Sequence, residues 1–113
     1  MDINKIKRLF IEGSLDRIEK IKAKMEELKK GHENVKELLL DVYILAHGIN
    51  SSSVFLPIKS ISSISRVVEH DIKSWIDNGV VPHNHDVDDL LSEVDKLKLM
   101  IKDIDNYFGE GSL

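Results

Sequence analysis

The sequence predicts an all-α protein, an antiparallel up-and-down four-helix bundle, with a fifth short or broken helix if Gly13 divides the first. Three observations predict it. Apolar residues recur at separations of three and four along nearly the whole chain. Alternation of the strand type is almost absent, and the Gly-, Ser- and Pro-containing connections between periodic stretches are short. With 113 residues and no internal repeat, residues 1–108 form one domain, and 109–113 read as a flexible tail or the start of a linker. Such a domain buries about two thirds of its unfolded surface, so no metal or disulfide staple is needed.

Ile3, Ile6, Leu9 and Phe10 begin an amphipathic pattern, and Leu15, Ile18, Ile21, Lys22, Met25 and Leu28 continue it after Gly13. Gly13 either bends one long helix or separates two, with Ser14 available as an N-cap. Gly31 closes the region as a C-terminal cap. The central helix runs from about Glu33 to Asn50, its glutamate near the positive end of the dipole. SSSVFLP, residues 51–57, interrupts the periodicity, and the apolar Val54, Phe55 and Leu56 are expected to tuck into one end of the bundle.

The next helix, about Ile58 to Asn78, carries Ile61, Ile64, Val68, Ile72, Trp75 and Ile76 on one face, and Gly79 ends it. Serines at 60, 62, 63 and 65 lower its propensity, so tertiary burial must compensate. VVPHNH, residues 80–85, is a turn. The last helix, Asp86 to about Phe108, keeps the cleanest register: Val87, Leu90 or Leu91, Val94, Leu97, Ile101, Ile104 and Phe108.

Composition excludes several functions. Without cysteine there is no thiol catalysis, thiolate metal site or disulfide, which is compatible with a reducing cytoplasm. The chain lacks an apolar run of membrane-spanning length, and MDINKIKRLF lacks a signal-peptide core, so neither membrane insertion nor secretion is expected; the expected location is cytoplasmic. A net charge of −4 argues against a nucleic-acid partner. The lysine-rich run from Lys20 to Lys30 has interleaved glutamates and reads as a solvated helix face. Neither a strand followed by GxGxxG nor GxxxxGKS/T is present, so the sheet-based nucleotide folds are excluded.

One residue breaks the pattern. Val35, Leu38, Leu39, Val42, Leu45, Ala46 and Ile49 share a stripe roughly 100° wide, and His47 lies about 150° from its centre. Leu40 and Ile44 fall on the same outward face, leaving the histidine among aliphatic residues that the core does not consume. Metal ligation by the bundle is not expected, because no HxxxE, ExxH or HxxxH pair exists. His83, His85, Asp86, Asp88 and Asp89 read as a polar loop and an acidic helix start. His32 reads as an exposed loop residue and His70 as surface.

The segment Leu45-Ala46-His47-Gly48-Ile49-Asn50-Ser51-Ser52 resembles the AHxLKGSS signature around the phosphorylated histidine of histidine phosphotransfer (HPt) domains, especially the N-terminal domain of chemotaxis-type histidine kinases. Phe10-Ile11-Glu12 is similar to the FxxE start of that domain's first helix, with one residue fewer between Phe and Glu. Val67-Val68-Glu69-His70 is similar to the HxLE segment of the neighbouring helix, and DVDDLLSEVDKLKLMI, residues 86–101, to a DLLLxAxDxLxxMI segment. Two positions depart from the signature: Asn50 stands for its lysine and Ser51 for its glycine.

The resemblance implies a phosphoryl carrier with His47 as phosphoacceptor, Glu69 as the imidazole's partner, and Asn50 and Ser51 at the site. Leu40, Tyr43, Ile44 and Gly48 would form the docking face. The implied partners are a histidine-kinase catalytic domain and a response-regulator receiver, which would themselves hold ATP and magnesium; this chain would need no cofactor and no metal. The alternative is a degenerate HPt-like bundle serving as a non-catalytic protein-protein interaction or dimerisation module. Oligomeric state is left open, and the Met1 start and Gly-rich end suit a whole protein and the first domain of a longer kinase equally.

Overall fold

The computed structural model describes residues 2–31 and 33–109. Its helices are α1 (Ile3–Lys30), α2 (Val35–Ser53), α3 (Lys59–Asp77) and α4 (Asn84–Lys102), followed by a 3₁₀ turn at Ile104–Asn106. Among the described residues there is no strand. Connections of a few residues force consecutive helices antiparallel. α1 and α3 each pack against both α2 and α4, which gives a closed four-helix bundle. The 28 residues of α1 span about 42 Å at 1.5 Å per residue, nearly the whole 45 Å long axis.

Each helix buries most of the stripe expected of it, Ile3 and Leu9 at the start of α1 excepted. Ile18 and Ile21 of α1, Ala46 and Ile49 of α2, Val68 of α3, and Val94 and Leu97 of α4 line the same point of the interior. The ends are set by local chemistry. Asp2 accepts from the Asn4 amide at 3.0 Å, and Asn34 accepts from the Glu37 amide at 3.1 Å, so α2 begins beyond Glu33. Gly31 (φ 98°) and Gly79 (φ 63°) take backbone conformations open to glycine at the ends of α1 and α3.

Several details differ from the sequence expectation. Of the two alternatives at Gly13, the single long helix is the one found and the division is not: α1 is continuous, so Ser14 is no N-cap and is wholly buried in its middle. Packing against two neighbouring helices outweighs the weak propensity of one glycine and one serine. The Ser14 hydroxyl has no hydrogen-bond partner among the described residues. Ser14→Ala is therefore expected to stabilise the fold by about 1 kcal/mol, read as a higher urea midpoint with an unchanged slope.

The serine run does not end α2 at Asn50. Ser52 donates to the Gly48 carbonyl at 2.7 Å and Ser53 to the Asn50 carbonyl at 2.6 Å, and the helix continues to Ser53. Of the apolar trio that follows, Leu56 alone is buried; Val54 and Phe55 face outward, Phe55 with 74% of its surface exposed. Leu9, expected on the apolar face, is also exposed.

The last helix stops at Lys102 rather than Phe108, and the 3₁₀ turn carries Ile104 back into the core. Lys7 pairs with Asp105 at 2.7 Å and lies over the Phe108 ring, while the Gly109 amide donates to the Pro57 carbonyl at 2.7 Å. The remainder of the expected tail, residues 110–113, lies outside the described residues, as does His32.

The lysine run of α1 is more than a solvated face. Lys22 reaches Asp95 and Lys29 reaches Asp88 on α4, and Lys24 reaches Asp41 on α2. Such exposed pairs add little individually, but they orient α1 between its two neighbours.

Candidate functional site

Residues 43, 47 and 50 are three and four apart, so they form a short row along the flank of α2 that faces α3. Opposite this row α3 presents Glu69, one residue past the buried Val68 and therefore at the edge of its core stripe. The helix pairing brings the two together. His47 Nδ1 lies 2.7 Å from Glu69 Oε1, and Asn50 Nδ2 donates to Glu69 Oε2 at 2.8 Å. Both carboxylate oxygens are thus engaged from one helix.

The pair is lopsided in burial, with 57% of the His47 side chain exposed against 15% for Glu69. Burial pushes the Glu69 carboxyl up. Hydrogen bonds from His47 and Asn50, the His47 charge and the Tyr43 hydroxyl together outweigh that effect, and the carboxyl is held below its ordinary value. Glu69 is therefore a carboxylate at neutral pH.

An ionised carboxylate accepts and cannot donate, so the ring nitrogen beside it carries the proton. With Nδ1 turned to Glu69, Nε2 is the ring nitrogen that faces away from it, and no hydrogen bond to Nε2 is made among the described residues. The Tyr43 ring stacks on the imidazole with centroids 6.0 Å apart and planes inclined by 22°, limiting its rotation. His47 thus presents an oriented ring nitrogen to solvent.

The remaining expected residues sit around it in different ways. Ser51 donates to the His47 carbonyl at 2.8 Å, so its hydroxyl is turned to the helix backbone. Leu40 and Ile44 are exposed on the row beside His47, Ile44 by 65%. Tyr43 is half-buried. Gly48, expected to offer an open small surface for a partner, is instead covered: a Cβ there would stand 2.7 Å from Arg17 Nε on α1. The close approach of that side chain is what the missing Cβ permits.

Arg17 is the residue that periodicity and resemblance both missed. Its signal in the sequence is indirect: Gly13 and Gly48 are helix-interior glycines, each unfavourable for a helix and each a mark of something packed close.

The other histidines lie elsewhere. His70 is exposed, next to Glu69 in sequence but around the helix from it. His83 and His85 stack at 5.7 Å at the start of α4, where the His83 amide donates to Asp86 at 3.1 Å in the manner of a helix start. Among the described residues no group of three or more His, Asp or Glu side chains could hold a metal ion, and no helix is long and apolar enough to cross a membrane. Comparison of the chain with protein-family models, curated proteins and solved structures finds no match to any of them.

Proposed function

We propose that the chain is a histidine phosphotransfer domain of two-component signalling, a phosphoryl carrier that accepts on His47 Nε2 and passes the group to a response-regulator aspartate. The observation that carries this reading is the 2.7 Å contact between the exposed imidazole and the largely buried, ionised Glu69. In the proposed step the Nε2 lone pair forms a bond to phosphorus as the donor's P–O bond breaks. Nδ1 keeps its proton throughout, and its N–H stays hydrogen-bonded to the Glu69 carboxylate, which stabilises the positive charge arising on the ring. Return transfer to a receiver aspartate reverses these changes.

Leu40 and Ile44 supply the apolar surface on which a receiver or kinase domain would settle, with the nucleophile at its edge. Nucleotide and magnesium belong to those partners, and the proposed setting is the cytoplasm. Incubation with phosphoramidate, read by phosphorus NMR and intact mass, tests the proposal. One acid-labile phosphoryl group is expected on the wild type and none on His47→Gln. A wild type that stays unmodified by phosphoramidate and by a histidine-kinase catalytic domain would leave the exposed Leu40–Ile44 patch to the second reading, a protein-interaction or dimerisation module, which a concentration-dependent solution mass would then report.

A further inference from the structure

Arg17 is a half-buried arginine with no carboxylate partner among the described residues. The neighbouring cations of α1 are engaged: Lys20 with Asp16, Lys22 with Asp95 and Lys24 with Asp41. The Arg17 side chain instead lies in a slot between two helix-interior glycines. A Cβ on Gly48 would meet Nε at 2.7 Å, and one on Gly13 would meet Nη1 at 3.1 Å. Glycine is unfavourable inside a helix, so two of them bracketing one guanidinium hold it against the backbone of the residue that follows His47.

A phosphoryl group on His47 would bring up to about two negative charges close to ionised Glu69. That like-charge approach opposes transfer unless a cation faces the incoming oxygens. Asn50, three residues after the histidine, is neutral and already donates to Glu69. The geometry points to Arg17 as the phosphoryl-binding residue of the His47 site, its guanidinium in the Gly13–Gly48 slot donating N–H groups to the oxygens of the transferred group. A planar guanidinium suits two such oxygens at once. This assignment rests on the carrier reading, yet it makes a claim about anion binding that can be measured without any transfer.

Arg66 is the competing cation, exposed on α3 one turn before Glu69 and lining the groove beside Asn50 and Ser53. The test therefore compares wild type, Arg17→Met, Arg17→Lys and Arg66→Gln for the rate of phosphoryl uptake from phosphoramidate. In that reaction the Nε2–P bond forms as the P–N bond breaks and ammonia leaves. Arg17→Met keeps the stem over Gly48 and removes the charge. It is expected to slow uptake on the order of tenfold, the worth of one charge-assisted hydrogen bond, with an unchanged melting temperature. Arg17→Lys should recover part of the rate, which a purely space-filling role would not require.

Inorganic phosphate titrated into unmodified protein should move the Arg17 Nε–H and His47 ring resonances, and Arg17→Met should abolish the shift of the histidine. Wild-type uptake in Arg17→Met, or a loss carried by Arg66→Gln in its place, overturns the assignment. If the wild type takes up no phosphoryl group, the carrier reading fails and the titration alone decides: a phosphate shift at Arg17 upholds the anion site, and unmoved resonances overturn it too.

Discussion

Glu69→Ala is expected to slow phosphoryl uptake by His47 by roughly 10- to 100-fold, the rate equivalent of one hydrogen bond to a charged group at about 1.5–3 kcal/mol. Two losses combine. Without the carboxylate nothing holds the ring proton on Nδ1, and the positive charge that builds on the ring as the N–P bond forms loses its counter-charge. Glu69→Gln keeps an oxygen that can accept from Nδ1 but carries no charge, so its rate should fall between wild type and alanine. Initial rates with phosphoramidate, which binds no docking face, separate this effect from any change in partner affinity.

The same carboxylate has a pH signature. Its folded value lies below the ordinary 4.5, so the unfolded chain takes up this proton first as pH falls. The stabilisation from ionised Glu69 is thus fully present above the unfolded value and is lost as pH drops through the folded one. Glu69→Gln should flatten the acid limb of the stability curve below about pH 4.5 and leave its neutral plateau lower. Urea midpoints measured from pH 3 to pH 7 would show this. Parallel curves for the two proteins would mean that the His47–Glu69 contact contributes nothing to the fold.

Ile18→Ala is expected to cost about 2–5 kcal/mol, a large share of the 5–15 kcal/mol typical of such a domain. Ile18 is fully buried where all four helices meet. Truncation leaves a cavity walled by Ile49, Val68 and Leu97, which are anchored on three other helices and cannot all close in. The loss should appear as a lower urea midpoint and melting temperature, with phosphoryl uptake under native conditions preserved. Uptake that falls as steeply as stability would show that the site has no local rigidity of its own.

How much of this could be read from residue order differs by region. The core stripes were legible because helical burial follows a period of 3.6, and Ile18, Val42, Val68 and Val94 obey it. Helix ends were less so. α2 outlasts its serines because their hydroxyls bond back to the carbonyls of the same turn, an option that a breaker count does not contain. Val54 and Phe55 are apolar yet outward, because a short connection between antiparallel helices cannot bury every residue it holds.

At the site, the outward position of His47 followed from angles on a single helix, while Glu69 as its partner came from the resemblance, with the place of Glu69 at the edge of its helix's buried stripe favouring it over His70. The two hydrogen bonds on Glu69 followed from neither, since they depend on how far α3 slides along α2.

By itself the sequence determined the all-helical class, the face each helix buries, and the isolation of His47 from the core, since each depends only on spacing within one helix. Tertiary structure alone decided that Asn50 serves Glu69, that Gly48 is covered, and that Arg17 is its cover. Those are contacts between helices, where the missing Cβ of Gly48 sets how closely the Arg17 side chain can lie against α2, and no periodicity within a single helix encodes that distance.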